Sequence, residues 1–317
     1  MKIAILDVCT ITQGDVSLDP IRALGDTVEY DVVPAEQVPD AIGDADAVIV
    51  NKAEITEMVM DACPNLRYIG LFATGYNNID IKAADKRGIT VCNVPGYSTD
   101  SVAQLTIAMI LNFACSMVQY NESTHRGDWT RMNRFSYLGH PIMELRGKTL
   151  GVYGYGAIGR RVADIGEVLG MEVIVYARTR PKECRFEVVT KDEIFSRSDF
   201  LTFHCPLNDD SRGIVNRESL SLMKPTAFLI NTARGGLIAE QELADALREG
   251  VIAGAGIDVL TVEPMTPGHA YLTAPNMIIT PHVAWASLEA RQRLVTKVAE
   301  TLSAFMRGQP INTVNGK

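Results

Sequence analysis

A glycine-rich hexapeptide in the middle of the chain has the spacing of a phosphate-binding turn. Residues 154–159 read GYGAIG, which is G-x-G-x-x-G, between an apolar run and a helix-compatible segment. The first glycine of such a turn allows a tight bend, the second lets the backbone approach a pyrophosphate, and the third lets helix and strand pack closely. Amide groups at the helix start then face the anion. The pattern predicts dinucleotide binding, and an incidental glycine turn is the alternative.

The position where this fingerprint asks for an acid holds Ala177 instead. An Asp or Glu about 20 residues after the glycines accepts hydrogen bonds from the adenosine ribose 2′-hydroxyl. Here Arg178 and Arg180 follow the position, and guanidinium groups can bind a 2′-phosphate. We therefore predict that NADP is favoured and that NAD is possible. The alternative is that both arginines are solvated surface residues and that the protein uses either cofactor.

Polar side chains stand at the ends of several apolar runs in the second half of the chain. They occur in FHCP (203–206), NTARGG (231–236), GIDV (256–259) followed by Glu263, and TPH (280–282). Ligands of open α/β sheets bind at the carboxyl ends of the strands. An arginine there can bind an anion, and a histidine can move a proton. Each residue alone is more often structural, so the prediction depends on their joint occurrence.

Two series of short apolar runs must position these residues. The first series is KIAIL, TVEYDVV, ADAVIV, LRYIGLFA and ITVCNV, and the second is TLGVYGYG, MEVIVYA, DFLTFHCP, AFLINTA, GAGIDVL and MIITPHV. Their alternation with helix-compatible segments is typical of βαβ units. The runs lack internal polar alternation, as strands covered on both faces do. The predicted fold class is α/β, with two Rossmann-like, doubly wound parallel sheets.

Two longer helix-compatible segments divide and close these series. Residues 98–100 offer helix caps before an apolar stretch that ends around residues 126–127, and residues 287–307 place an apolar stripe on one face before Gly308. The last segment is long enough to return to the first domain. We predict a substrate domain of residues 1–99 and 287–317 and an NAD(P)-binding domain of residues 100–286.

The composition limits the partners that the protein can have. The 317 residues are 47% hydrophobic, which is typical of a globular protein. Their net charge of −8 argues against nucleic acid or an anionic membrane as the main partner.

Six scattered cysteines indicate neither a zinc site nor a disulfide framework. We predict no metal and a cytoplasmic location. The opening MKIAILDV resembles a strand rather than a signal peptide, and residues 102–118 are predicted to form a buried helix rather than a membrane span.

The chain resembles the NAD(P)-dependent D-2-hydroxyacid dehydrogenases over almost its whole length. The glycine loop, TARGG (232–236), FATGYN (72–77), NVPGYS (93–98) and PHVAWAS (281–287) carry the resemblance. Within the family, ATGYNNID, STDSVAQ and PHVAWAS look most like the glycerate dehydrogenase or hydroxypyruvate reductase group. The resemblance implies reversible reduction of a small 2-keto acid, with hydroxypyruvate or glyoxylate favoured, to the D-2-hydroxy acid. It also implies a homodimer formed through the helix after Asp100 and the excursion around Trp129.

The resemblance assigns catalysis to Arg234, Glu263 and His282. Arg234 would grip the substrate carboxylate and stabilise charge on the carbonyl oxygen, and His282 would protonate that oxygen while Glu263 holds the imidazole. The cofactor contacts it implies are Thr106, Gly154, Tyr155, Gly156, Ala157, Ile158, Gly159, Ala177, Arg178, Thr179, Arg180, His204, Cys205, Pro206, Thr232, Ala233, Asp258 and His282. The substrate contacts it implies are Phe72, Ala73, Thr74, Gly75, Arg234, His282 and Trp285.

Several of these residues have a structural alternative. Asp258 would face the nicotinamide carboxamide, but it could instead cap a loop. Packing within the protein is the alternative for His204 and for Trp285.

Other activities within the family stay open. A phosphoglycerate dehydrogenase would need a phosphate subsite, and its longer forms carry a regulatory domain for which no residues remain after Lys317. A relative specialised for formate would depart from the pairing of Glu263 with His282. The family also includes dinucleotide-binding transcriptional corepressors, which are protein-interaction modules. Turnover of hydroxypyruvate or glyoxylate would separate an enzyme from such a module.

Overall fold

Two compact α/β units make up the chain in the computed structural model, which describes residues 1–316. The N-terminal unit contains residues 1–98 and the segment from Trp285 onward, and the central unit contains residues 99–284. The sequence placed these boundaries after residues 99 and 286. Lys317, the last residue of the predicted C-terminal segment, lies outside the described residues.

Short strands and helices alternate along both units. The strands are β1 (Lys2–Ile5), β2 (Asp26–Glu29), β3 (Ala47–Val50), β4 (Tyr68–Leu71), β5 (Thr90–Cys92), β6 (Thr149–Tyr153), β7 (Glu172–Tyr176), β8 (Glu187–Val188), β9 (Phe200–Phe203), β10 (Phe228–Asn231), β11 (Gly254–Ile257) and β12 (Met277–Ile279). The α-helices are α1 (Asp19–Arg22), α2 (Val38–Ile42), α3 (Glu57–Ala62), α4 (Ile81–Arg87), α5 (Thr99–Cys115), α6 (Met117–His125), α7 (Asp128–Met132), α8 (Ala157–Val168), α9 (Lys191–Arg197), α10 (Arg217–Ser221), α11 (Glu240–Arg248) and α12 (Leu288–Met306).

The N-terminal unit is built on a parallel sheet with the strand order β2-β1-β3-β4-β5. Strands β3 and β4 are buried along their whole length, which explains why their sequences are continuous apolar runs. Helix α12 returns to this unit and packs Leu294 into the same core as Ile3 of β1. The hydroxyl of Ser287 caps α12 by accepting the N–H of Ala290 at 3.3 Å.

The central unit contains a parallel sheet with the order β12-β11-β10-β9-β6-β7-β8. The chain runs outward from β6 to β8, crosses back to β9 and then runs outward again to β12, so its direction reverses between β6 and β9. Dinucleotides bind at such a switch point. Strand β8 was not predicted, because two residues are too few to show a periodic pattern. The predicted α/β fold with two parallel sheets is confirmed.

The apolar stretch after residue 98 forms two helices. Ser116 has a φ of 49° and interrupts the stretch between α5 and α6, which together bend by 57°. Side chains of α5 such as Ile107 and Ile110 lie in the core with Val152 of β6. Within residues 1–316, no single helix is long and apolar enough to cross a membrane. Helices α5 and α6 reach that length and apolar composition only when they are taken together, as a bent pair.

Candidate active site

The central unit places the residues highlighted by the sequence at the carboxyl edge of its sheet. Arg234 follows β10, Glu263 follows β11 and His282 follows β12, and these strands are neighbours. Their parallel direction brings their carboxyl ends to one edge. The glycine loop follows β6 at the same edge. An anion-binding turn and a candidate proton donor therefore share one side of the unit.

The glycine loop has the geometry that a pyrophosphate requires. Gly154 has a φ of 103°, and a Cβ there would lie 2.7 Å from the backbone N of Cys205. A Cβ on Gly159 would lie 2.0 Å from the carbonyl oxygen of Gly154, whereas one on Gly156 would meet nothing within 4 Å. The first and third glycines thus allow close packing, and Gly156 faces open space. These residues fit a dinucleotide phosphate.

The start of α8 leaves its amide groups available for an anion. Within the described chain, no side chain caps this end, where Gly156 is the N-cap and Ala157 and Ile158 begin the helix. Uncapped N–H groups and the helix dipole together attract negative charge. The Tyr155 ring packs beside this turn, with the Arg160 guanidinium 5.1 Å from its centroid.

The loop after β7 carries the predicted cofactor-selecting residues. Ala177 follows the strand directly, so within this loop the usual acid is absent from that place. Arg178 forms an ion pair with Asp210, with Nη1 and Oδ2 separated by 3.1 Å, and both side chains are about three-quarters exposed. Thr179 and Arg180 continue the loop. Arg178 is therefore shared with an acid from the loop after β9, a neighbour that the sequence did not reveal.

The residues after β9 pack against the glycine loop. His204 donates its backbone N–H to the carbonyl oxygen of Tyr153 at 2.8 Å. Both ring nitrogens of His204 are buried and have no hydrogen-bond partner among the described residues, and burial lowers the pKa of His204 to about 3. Burial also raises the pKa of the Cys205 thiol to about 11, and the carbonyl of Pro206 accepts the hydroxyl of Ser211. His204 and Cys205 are thus neutral, packed groups.

Asn231 shapes the turn that presents Arg234. Its Nδ2 donates to the carbonyl oxygen of Arg234 at 2.8 Å, and its Oδ1 accepts the N–H of Ala233 at 3.0 Å. The adjacent Thr232 hydroxyl lies 3.0 Å from that of Thr106 on α5, where both are buried. These contacts fix the backbone from which the Arg234 side chain leaves.

The carboxylate of Asp258 is almost completely buried. Its oxygens accept the hydroxyl of Thr280 and the N–H groups of Val283 and Ala284 at 2.6 to 2.9 Å. Burial raises the pKa of Asp258, and these hydrogen bonds oppose the rise. Asp258 therefore caps the loop that carries His282. Its contact with a nicotinamide stays a prediction.

His282 and Glu263 form a close imidazole–carboxylate pair. Nδ1 of His282 lies 2.6 Å from Oε2 of Glu263, and both side chains are about 30% exposed. The second oxygen of Glu263 accepts the N–H of Leu260 at 3.0 Å, which orients the carboxylate. Because Nδ1 faces the carboxylate, Nε2 is the ring atom left for a substrate. The pair has the geometry of a general acid held by an anion.

The predicted substrate contacts of the N-terminal unit lie in the loop after β4. Phe72 is only 1% exposed and its ring belongs to the core, and its contact with a substrate stays a prediction. The Thr74 hydroxyl donates to the carbonyl of Val94, and Ala73 accepts the N–H of the same residue. These contacts brace the chain before Gly75, and its contact with a substrate stays a prediction.

Trp285 packs on the core of the N-terminal unit. Its ring meets that of Tyr97 edge-on, with the centroids 6.3 Å apart. This geometry agrees with the structural alternative that the sequence left open, and a substrate contact of Trp285 stays a prediction.

The sequence interpretation assigned no role to three positions that support the candidate site. Asn231 and Thr280 orient the backbone around Arg234 and Asp258, and Glu240 on α11 accepts the N–H of Thr261, two residues before Glu263. A polar residue at the end of an apolar strand was the available signal for Asn231. The structure holds no cluster of His, Cys, Asp or Glu suited to a metal within residues 1–316.

Most of the chain is similar to known 2-hydroxyacid dehydrogenases. The sequence profile described as D-isomer specific 2-hydroxyacid dehydrogenase, NAD binding domain, matches residues 107–284. The chain is 40% identical over 323 residues to the hydroxypyruvate reductase of Blautia hydrogenotrophica, covering 99% of this chain and 100% of that protein. It is 38% identical over 281 residues to the glycerate dehydrogenase of Methylorubrum extorquens, covering 88% of each.

A solved structure extends this similarity to the fold. It is an NADPH-dependent glyoxylate/hydroxypyruvate reductase from Sinorhizobium meliloti in complex with NADP and malonate. The TM-score is 0.85 at 31% sequence identity, and the match covers 99% of this chain and 96% of that chain.

Acid should destabilise the protein in part through His204. Its pKa of about 3 in the folded state lies below its ordinary value of 6.5, so the unfolded chain takes up the proton first. The stability from neutral burial is complete above pH 6.5 and is lost as the pH falls toward 3. By pH 5 the loss should be about 2 kcal/mol.

Urea unfolding at pH 7 and pH 5 measures this loss. His204→Asn removes the titrating group, so its free energy of unfolding should change about 2 kcal/mol less between the two pH values. His125→Asn changes an exposed histidine and should behave like the wild type. Equal pH dependence of the wild type and His204→Asn would contradict the prediction.

Proposed function

The chain belongs to the D-isomer specific 2-hydroxyacid dehydrogenase family, and we propose that it reduces a small 2-keto acid to the D-2-hydroxy acid with NADPH. The close pair of His282 and Glu263 beside the Arg234 turn carries this proposal. Hydroxypyruvate and glyoxylate are the favoured substrates, because the similar proteins include a hydroxypyruvate reductase and a glyoxylate/hydroxypyruvate reductase. The reaction is reversible.

His282 gives the proton in the proposed reaction. The glycine loop of residues 154–159 would hold the reduced nicotinamide cofactor, which would supply the hydride for the keto carbon. Nδ1–H of His282 donates to Glu263, and Nε2–H donates to the carbonyl oxygen, which becomes the hydroxyl of the product. The Glu263 carboxylate balances the positive charge of the protonated ring and keeps it oriented. In the reverse direction, the neutral imidazole accepts the hydroxyl proton.

Arg234 binds and polarises the substrate in the same proposal. A 2-keto acid presents a carboxylate next to a carbonyl, and a planar guanidinium can donate hydrogen bonds to both. Charge that develops on the carbonyl oxygen during hydride transfer is then stabilised. The turn held by Asn231 limits the directions in which Arg234 extends, which favours a fixed substrate orientation.

NADP is the proposed cofactor, while NAD remains an alternative. The family profile is that of an NAD binding domain, and the glycine loop suits either dinucleotide. Ala177 removes the acid that would repel a 2′-phosphate, and Arg178 can bind that phosphate. Asp210 competes for Arg178, so it lowers the preference for NADP. Phosphoglycerate oxidation and a corepressor-like binding role are the alternative functions, and turnover of unphosphorylated keto acids tests against both.

The proposed homodimer would use the segment of residues 117–142. Phe135 is 98% exposed and Leu138 is 80% exposed, and Met117, Trp129 and Ile142 are exposed as well. Five large apolar side chains exposed within 26 residues of chain support an interface in this segment. The end of the segment contacts its beginning, since the Tyr120 hydroxyl on α6 donates to the carbonyl of His140. A second copy of the chain is the proposed partner.

His282→Ala should abolish keto-acid reduction and leave cofactor binding intact. Loss of the proton donor should lower kcat with hydroxypyruvate or glyoxylate by at least about 100-fold. The Kd for NADPH, measured by fluorescence titration, should stay within about threefold of wild type, because Nε2 donates to substrate rather than cofactor. Lys191→Ala, at an exposed residue of α9 outside the site and the proposed dimer segment, is the control. Normal turnover by His282→Ala would contradict the assignment of His282 as the proton donor. A wild-type protein that reduces none of a panel of 2-keto acids would contradict the proposed reaction.

Cofactor preference should move in opposite directions when the two partners of the ion pair are changed. Combining Ala177→Asp with Arg178→Ser should lower the NADPH to NADH ratio of kcat/KM by at least about tenfold, because a charged hydrogen bond to the 2′-phosphate is lost. Asp210→Asn should raise the ratio, because Arg178 is released from its carboxylate. Asp209→Asn removes the adjacent charge and serves as the control. An unchanged ratio in both variants would contradict the role of this loop.

Phe135→Glu should convert the proposed dimer into monomers. A buried carboxylate at an apolar interface is strongly unfavourable without a partner. Light scattering after gel filtration at micromolar concentration measures the mass. Val168→Glu changes a valine that is 85% exposed outside the segment and should stay dimeric. A monomeric wild type would remove the homodimer from the proposal.

A further inference from the structure

A second imidazole–carboxylate pair lies behind the loop that carries Glu263. It consists of Glu240, the first residue of α11, and His269. We propose that Glu240 and His269 are positioning residues that hold residues 260–263 where Glu263 reaches His282. This inference rests on the proposed function for its kinetic consequence, whereas the positioning itself concerns the loop alone.

Glu240 binds the loop through its backbone. Oε1 of Glu240 accepts the N–H of Thr261 at 2.7 Å, and the next amide toward the N-terminus, that of Leu260, donates to Glu263 at 3.0 Å. Two successive amides are therefore held by two carboxylates. One belongs to the catalytic pair and the other to α11. A shift of the loop away from Glu240 would move the amide that orients Glu263.

His269 fixes the orientation of Glu240. Nε2 of His269 lies 3.2 Å from Oε2 of Glu240, and the two side chains are only 13% and 19% exposed. Nδ1 accepts the N–H of Tyr271 at 3.3 Å. The ring therefore carries its proton on Nε2, which donates it in a hydrogen bond to Glu240. The Tyr271 ring packs against the imidazole, with centroids 4.8 Å apart. Glu240 thus has a restricted choice of rotamers.

Gly235 connects the Glu240–His269 pair, called the brace below, to the arginine proposed to bind the substrate. A Cβ on Gly235 would lie 1.9 Å from the carbonyl carbon of Leu260 and 2.3 Å from the N of Thr261. The peptide bound by Glu240 therefore lies directly against the residue that follows Arg234. The peptide group between Leu260 and Thr261 contacts the arginine turn and donates its N–H to Glu240 of α11. The chain continues from it to Glu263. Its displacement would disturb the proton donor and the anion site together.

Positioning of this kind affects the chemical step more than binding. Misplacement of a reacting group by about 1 Å can cost about 100-fold in rate. The glycine loop and Arg178 are separate from the brace in the fold, since they follow β6 and β7. Loss of the brace should therefore lower kcat with little change in affinity for NADPH.

Paired substitutions of Glu240 test the proposal. Glu240→Ala removes the acceptor for Thr261 and should lower kcat by about 10- to 100-fold, with the Kd for NADPH unchanged. Glu240→Gln keeps an oxygen for the same N–H but directs its amide NH2 toward the ring hydrogen of His269, so its loss of kcat should be smaller than that of Glu240→Ala. Glu242→Ala, on the same helix, is the matched control, because the Glu242 carboxylate binds the N–H of Arg217 instead.

Imidazole NMR gives a readout that does not depend on turnover. The chain has five histidines, so ¹⁵N labelling of histidine yields a small set of ring signals. The Nδ1–H signal of His282, assigned by its loss in His282→Ala, should lie far downfield in wild type and Glu240→Gln. In Glu240→Ala it should move upfield or exchange with water. Glu240→Asp, which shortens the side chain, should shift it in the same direction if Glu240→Ala does not fold.

Two results would overturn the proposal. One is a wild-type His282 signal and wild-type kcat in a folded Glu240→Ala or Glu240→Asp variant. The other is an equal loss of kcat in Glu240→Gln and Glu240→Ala accompanied by equal losses of thermal stability, which would make Glu240 a purely structural residue. If the wild type reduces no keto acid, the proposed function fails, but the NMR comparison still decides whether Glu240 positions the catalytic pair.

Discussion

The buried carboxylate of Asp258 is the constraint on which the catalytic edge of the central unit depends. Transfer of a carboxylate out of water is costly unless hydrogen bonds replace its hydration. Here the Thr280 hydroxyl and the amides of Val283 and Ala284 replace it. These groups reach Asp258 only when the loop after β12 closes around it. Burial of the acid and closure of the loop therefore stabilise each other, and His282 lies within the closed segment.

This closure also explains the backbone of His282. Its φ of 55° lies in the left-handed region, which costs a residue with a side chain about 1 kcal/mol. The N–H of His282 donates to the carbonyl of Asp258 at 2.8 Å, so the conformation is held by the same residue that closes the loop. The His282 ring then contacts Glu263. The loop that carries Glu263 is bound in turn by Glu240 of α11, through the N–H of Thr261. Strain at one residue is maintained by hydrogen bonds at several others.

The sequence predicted those features that depend on short-range pattern. Strands such as β3 and β10 are buried on both faces and therefore appear as apolar runs, and Gly154 and Gly159 stand where a Cβ would collide with backbone. Contacts between different strand ends have no such pattern. Asp210 reaches Arg178 from another loop, and the inward direction of the Phe72 ring depends on packing around it. The break at Ser116 was missed because the apolar sequence continues through it.

An acidic chain that binds an anionic cofactor must supply positive charge locally. Helices α9, α10, α11 and α12 each carry Asp or Glu in the first turn, whereas α8 has neither an acid nor a side-chain cap there. A glycine at the N-cap costs a helix only a few tenths of a kcal/mol relative to a capping side chain, so Gly156 leaves the first amides of α8 uncapped at little cost to the helix. A bound phosphate would satisfy the same amides and interact with the same dipole. A cofactor phosphate would therefore supply the negative charge that α9 to α12 obtain from acidic residues in their own first turns.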